Sequence, residues 1–214
     1  MTTLIVIRHG ESEGNKGGYF TGNVNVSLTD MGRKQALMVR DYLKEYKIDK
    51  VYSSDLDRAY ETALPIAEYH GVEVEKRPGI REINGGKWER MVYADIKEQY
   101  GDEYNVWLED MGNALCTDGE SVAQLSERVE KEINSIIAEN EGKTIAVVCH
   151  GTPIRALACI WKNVDIQDMQ DVPWVSNASV SVVKYSDISI PPEIVLYGYT
   201  EHLKDCATFL PETV

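Results

Sequence analysis

Two short runs along the chain are apolar at every position, Leu4-Ile5-Val6-Ile7 and Ile145-Ala146-Val147-Val148. Unbroken rather than alternating apolarity marks strands covered on both faces, as in a parallel sheet sandwiched by helices. Shorter strands are expected at 51–53, 72–75, 178–185 and 194–197. Helical periodicity fills the intervals. Thr29 stands as N-cap before Ala36, Leu37, Val39, Leu43 and Tyr46, and a second helix runs from about Asp57 through Ala63, Ile66 and Ala67 to His70, where Gly71 stops it. The third carries Val122, Leu125, Val129, Ile133, Ile136 and Ile137 on one stripe and ends by Gly142. A fourth opens after Gly151, with Thr152 as N-cap and Pro153 at the first helical position, where a missing N–H costs nothing.

Strand and helix alternate, so the predicted class is α/β: a three-layer α/β/α arrangement with a mainly parallel sheet and helices on both faces. One segment departs from the alternation. Trp88, Tyr93, Tyr100, Tyr104 and Trp107 crowd a stretch that reads as two short helices, 92–100 and 102–111, broken at Gly101. It is expected to be a small helical insertion, about 86–112, within a single domain spanning 1–214. Two readings of it are open: a lid over a site, or aromatic side chains that fasten the insertion to the body.

Composition narrows the function classes. Hydrophobic residues at 43% and charged residues at 27% describe a globular chain, not a disordered one. Asp+Glu number 35 against 22 Lys+Arg, a net charge of −13. That balance argues against nucleic acid and against an anionic membrane as partners, since both require a basic face. It leaves room for a local basic pocket that takes a small anion. No apolar run approaches the roughly 20 residues of a membrane span, and Leu4–Ile7 leads straight into Arg8 without a basic leader. Cys116, Cys149, Cys159 and Cys206 are scattered with no CxxC pair, which suits reduced thiols and a cytoplasmic protein better than disulfides or a zinc site.

Both long apolar runs end in histidine and glycine, Arg8-His9-Gly10 and Cys149-His150-Gly151. In open α/β sheets ligands bind outside the carboxyl ends of the strands, so the two histidines are expected to face one crevice. The glycines permit close backbone approach, and the helix after His150 offers an N-terminus to an anion.

Arg8-His9-Gly10-Glu11-Ser12 with Asn15 resembles the signature of the histidine phosphatase superfamily, the phosphoglycerate mutase-like proteins. The resemblance continues through Thr21-Gly22, Leu28-Thr29-Asp30-Met31-Gly32-Arg33, Tyr52-Ser53-Ser54-Asp55-Leu56-Asp57-Arg58-Ala59, Arg81-Glu82-Ile83 with Gly86-Lys87-Trp88-Glu89, His150-Gly151 and Asn177-Ala178-Ser179, all in order. It implies that His9 attacks phosphorus and becomes a phosphohistidine. Arg8, Arg58 and His150 would clamp the phosphate oxygens, with Asn15 as a further donor. Glu82 would be the general acid and base, with Glu89, Glu11 and Glu13 nearby in sequence, and Thr21, Gly22 and Gly151 would add backbone contacts. The chemistry fits these residue types. Phosphoryl transfer is mostly positioning and charge neutralisation, a neutral imidazole carries a nucleophilic lone pair near pH 7, and guanidinium forks bind phosphate bidentately. No metal and no cofactor is implied. Arg81 is read as a salt-bridged structural residue, and His70 and His202 are given no role.

Within the family, mutases bind glycerate through an Arg-Arg pair, and this chain has none. The Gly-Lys-Trp-Glu loop and short aromatic insertion look more like broad-specificity and alpha-ribazole phosphatases. The expected reaction is hydrolysis of a small-molecule phosphomonoester, the aromatic insertion suiting a sugar, nucleotide or aryl leaving group. A cofactor-dependent phosphoglycerate mutase, or a non-catalytic phosphate binder on the same fold, stays open as an alternative.

Overall fold

The computed structural model describes residues 1–208; residues 209–214 of the expected domain lie outside the described residues. Strands β1 (Thr2–Arg8), β2 (Lys50–Ser53), β3 (Val74–Lys76), β4 (Thr144–Cys149), β5 (Val180–Tyr185) and β6 (Glu193–Tyr199) form one sheet in the order β3-β2-β4-β1-β5-β6. β1 to β4 run parallel, whereas β5 and β6 are antiparallel to their neighbours.

The two apolar runs are the central strands, paired Leu4↔Ile145 through Arg8↔Cys149. Side chains alternate between faces, so each strand feeds two cores. Leu4, Val6, Ile145 and Val147 pack with α6 (Val122–Glu139) and α7 (Gly151–Lys162); Ile5, Ile7, Ala146 and Val148 pack with α2 (Asp30–Leu43) and α3 (Asp57–His70). Burial on both sides is the reason these strands read as solid apolar runs.

Several boundaries differ from the sequence expectation. β3 begins at Val74 rather than 72, because Gly71 adopts φ 67 and closes α3 with a left-handed cap. The Val72 N–H then donates to the Ala67 carbonyl at 3.1 Å and is taken from the sheet. β5 begins at Val180 rather than 178, because Ala178 turns at φ 55 and donates its N–H to the His9 carbonyl. Thr152 is not the N-cap of α7. His150 is, with φ −130 and ψ 177, and its carbonyl already accepts from Ile154 N. Pro153 therefore sits third in the helix, where the first-turn N–H groups still have no helical partner to lose.

The insertion contains α4 (Tyr93–Gln99) and α5 (Gly101–Glu109). The break falls at Tyr100, which caps both helices at φ −131 and ψ 41; Gly101 is the first residue of α5. Trp88, Tyr104 and Trp107 are buried within the larger core, and the Trp88 ring meets Tyr104, Trp107 and Phe20 edge-on at 5.6–5.9 Å. These aromatics fasten the insertion to the body.

Candidate active site

The parallel pairing of β1 with β4 carries His9 and His150 off adjacent strand ends. His9 N donates to the Cys149 carbonyl at 3.0 Å, and the two imidazole centroids are 5.1 Å apart at 60°. The His9 carbonyl is held from the other side by Asn177 Nδ2 and Ala178 N, each at 3.1 Å. His9 Nδ1 lies 2.7 Å from the Gly10 carbonyl. A carbonyl can only accept, so Nδ1 carries the proton and Nε2 keeps its lone pair. Burial, followed by the charges of Arg58 and Arg8, holds the pKa of His9 well below the usual histidine value. The imidazole is neutral at neutral pH.

Around it lies a set of buried cations, with Arg8 4% and Arg58 0% exposed. Arg8 donates from one terminal nitrogen to the Val175 carbonyl at 2.6 Å, and Arg58 donates to the carbonyls of Gly22 and Val24 at 2.7 and 2.9 Å. The Nε of each has no protein partner among the described residues, nor has either ring nitrogen of His150. Burial pushes Arg58 down to about 10, opposed by Glu82, and it stays charged. His150 is driven well below its usual value by burial and then by Arg58. Unpaired buried donors are costly unless an anion meets them.

Arg8, His9, Asn15, Thr21, Gly22, Glu82 and Gly151 line a narrow cleft of about 50 Å³. Arg58 and His150 stand behind that wall and act on His9 through their charge and ring contact. The Asn15 oxygen accepts from Ser12 N, Ser12 Oγ and Asn177 Nδ2, which leaves the amide N–H side for an anion. It is both the partner of the N-cap Ser12 in the capping box of α1 (Glu13–Gly17) and a wall of the cleft. Gly22 lines the cleft, and its carbonyl accepts from Arg58. Its φ of 46, with Gly85 N 2.9 Å from where a Cβ would sit, requires glycine. Gly151 opens α7 against the Trp174 ring.

Geometry separates the nearby carboxylates. Glu82 lines the cleft beside His9, one oxygen accepting from Ile83 N at 2.9 Å and the other from Thr152 N at 3.4 Å. Glu89 ties Asn23 N to Gly85 N, Glu11 accepts from Thr29 Oγ1, and Glu13 occupies the first turn of α1. Arg81 forms the expected ion pair, its Nε 2.6 Å from Asp55 Oδ1. His202 contacts the Ala178 carbonyl and takes no part in the cleft.

Sequence reasoning missed several contributors. Phe20 and Trp174 complete the cleft wall beside Tyr93 and Trp107 of the expected insertion, and Tyr93 and Trp174 continue into an adjoining cavity of about 990 Å³. Thr62 Oγ1 anchors Gly10 N at 3.0 Å. Phe20 carries no local signal that sets it apart from an ordinary core residue. Among the described residues, no group of three or more His, Cys, Asp or Glu side chains is arranged to hold a metal ion. No helix among them is long and apolar enough to cross a membrane. The cleft thus joins a neutral imidazole with a free nitrogen to fixed positive charge, a helix N-terminus and one carboxylate. That combination can accept a phosphoryl group and exchange a proton with its leaving oxygen.

Residues 4–197 match the model of the histidine phosphatase superfamily (branch 1). The chain is 35% identical over 183 residues to phosphoserine phosphatase 1 of Hydrogenobacter thermophilus, covering 86% of each. It is 31% identical over 147 residues to the adenosylcobalamin/alpha-ribazole phosphatase of Salmonella typhimurium, covering 69% of this chain and 73% of that one. Its fold superposes on Bacillus stearothermophilus YhfR with a TM-score of 0.90 at 23% identity, covering 95% of this chain and 100% of YhfR. The chain belongs to branch 1 of the histidine phosphatase superfamily and is a phosphomonoesterase-type enzyme of that family.

Proposed function

We propose that the protein is a metal-independent phosphomonoester hydrolase that works through a phosphohistidine on His9. The observation that carries this reading is the bond between His9 Nδ1 and the Gly10 carbonyl, which leaves Nε2 free beside Arg8 and Glu82. Nε2 attacks phosphorus as the bond to the leaving oxygen breaks, and the Glu82 carboxyl delivers a proton to that oxygen. The resulting carboxylate then takes a proton from water, whose oxygen attacks phosphorus and breaks the P–N bond, restoring both residues. Arg8, Arg58, the Asn15 amide and the α7 N-terminus neutralise the phosphoryl oxygens throughout. A bound dianion draws a proton onto His150, whose charge then adds to theirs from behind the cleft wall.

The leaving group occupies the adjoining cavity. Its walls include Val92, Tyr93, Leu108, Val172, Pro173 and Trp174, and its 990 Å³ suits a bulky, largely apolar alcohol. This supports a broad-specificity or alpha-ribazole-like substrate, with an aromatic or sugar-linked leaving group, over an amino-acid-sized one. The insertion then acts as the wall and lid of that cavity.

The test is phosphate release in EDTA from a panel of phosphomonoesters that includes 3-phosphoglycerate and phosphoserine, with acid-quench trapping of phosphoenzyme. Turnover that survives EDTA, favours bulky aromatic esters and disappears with its acid-labile phosphoenzyme in His9→Ala is the expected result. Equal turnover in His9→Ala overturns the mechanism. Phosphate exchange only with a bisphosphoglycerate primer assigns the chain to the mutases.

A further inference from the structure

Glu82 sits in an irregular segment, between a 3-10 turn at Pro78–Ile80 and another at Gly86–Trp88. Neither a strand nor a helix fixes it. Side chains from other elements do, and one of them bonds its backbone three times. Arg128, on α6, donates to the carbonyls of Gly79 at 3.0 Å, Arg81 at 2.9 Å and Glu82 at 2.9 Å. The same guanidinium is held by Glu120, through Nε at 2.6 Å and a terminal nitrogen at 2.9 Å. Glu120 in turn accepts from Asn84 N at 3.1 Å, and its own N–H donates to the Asn84 carbonyl at 2.9 Å.

The backbone on both sides of Glu82 is therefore clasped, at 79–82 by Arg128 and at 84 by Glu120. The pair is mostly buried, with 27% and 14% of the side chains exposed. The planar five-donor fork can satisfy three carbonyls and a carboxylate at once, which an ammonium cannot. No regular secondary structure would replace those bonds. Proton transfer needs the carboxyl within hydrogen-bond reach of the leaving oxygen, so a shift of about 1 Å in this segment is enough to impair it.

We infer that Arg128, locked by Glu120, is a positioning residue that sets the backbone of the proton donor Glu82, and so governs protonation of poor leaving groups. The inference rests on Glu82 having the role given it above. Arg128 is not among the residues that line the cleft; it reaches the cleft through the backbone of Glu82.

The experiment compares kcat/KM for an alkyl phosphate, whose leaving oxygen needs a proton, with kcat/KM for p-nitrophenyl phosphate, whose phenolate does not. Both report steps up to phosphorylation of the enzyme. Glu82→Gln comes first, and it lowers the alkyl-to-aryl ratio. If it leaves the ratio unchanged, the assignment of Glu82 falls and the inference falls with it. Arg128→Met then lowers the same ratio roughly 10- to 100-fold. Arg128→Lys recovers only a fraction, and the double variant Arg128→Met/Glu82→Gln lowers it no further than Glu82→Gln alone. If Arg128→Met fails to fold by circular dichroism, Glu120→Gln, which keeps size and shape, shifts the ratio in the same direction. A selective loss in Glu82→Gln with an equal fall for both substrates in the Arg128 and Glu120 variants overturns the inference alone. Additive loss in the double variant does the same.

Discussion

His9 and His150 leave the ends of neighbouring parallel strands one register step beyond Arg8↔Cys149, and their rings meet at 5.1 Å. Both are buried, and both have pKa values well below the ordinary histidine value, burial being the larger cause and the nearby arginines the smaller. The fold thus holds a pair of neutral imidazoles against fixed positive charge, an arrangement that needs an anion to settle it.

The pair makes stability pH-dependent with a definite sign. Unfolded histidine titrates near 6.5. Between that value and the lowered folded values, the unfolded chain binds more protons than the native one, so stability falls as pH drops below about 6.5. It is fully present above that pH. Urea denaturation at stepped pH should show this slope, and the double variant His9→Ala/His150→Ala should reduce it, the remainder coming from His70 and His202, which burial also lowers. An equal slope in wild type and variant would show that the histidines are not its source. By the same sign, the acid limb of kcat/KM assigned to His9 should lie below pH 6.5.

Gly32→Ala should destabilise the protein, against helix propensity. Alanine is favoured over glycine by about 1 kcal/mol in a helix interior. A Cβ at Gly32 would lie 2.0 Å from the Glu11 carbonyl oxygen, and one at Gly10 would lie 2.6 Å from the Gly32 oxygen. The loop carrying His9 and the first turn of α2 touch backbone to backbone, and neither can yield cheaply. The expected loss is about 1–3 kcal/mol, the scale of overpacking. A stabilised variant in chemical denaturation would refute the close approach.

Arg58→Met should lose both activity and stability, and Arg58→Lys should recover little of either. Removing the guanidinium leaves the buried Gly22 carbonyl and the part-buried Val24 carbonyl without their donor, at about 1–3 kcal/mol for the buried one. It also removes one cation from the phosphoryl oxygens, expected to lower kcat/KM by about 10²-fold or more. A loss of kcat/KM at unchanged denaturation midpoint would mean that the two carbonyl bonds contribute nothing to folding.

Leaving-group choice should follow Trp174 rather than Trp107. Trp107 packs into the aromatic cluster of the core, and its truncation should cost about 3–5 kcal/mol. Trp174 is only partly buried, and its ring covers both the cleft and the larger cavity. Trp174→Ala should lower kcat/KM for naphthyl-type esters several-fold more than for methyl phosphate, while the midpoint of unfolding moves little. An unchanged ranking of substrates would place the leaving group elsewhere.

The sequence by itself determined the layers and the strand ends that carry His9 and His150. Leu4–Ile7 and Ile145–Val148 could only be strands covered twice, and burial on both faces is a local demand that composition records directly. The histidines and glycines that follow them were legible for the same reason. The tertiary structure decided what depends on contacts distant in sequence. It set Glu82 on the cleft and engaged Glu89 with Asn23 and Gly85 and Glu11 with Thr29. It moved the α7 cap to His150 and the break in the insertion to Tyr100, since caps follow backbone angles that several residue types can adopt. It made Arg128 the clasp of the acid segment from one charge among many on the polar face of α6. A periodic pattern reports which face of an element is buried. It carries no information about which polar side chain finds a carbonyl nearly fifty residues away, and in this protein that is where the proposed proton donor acquires its position.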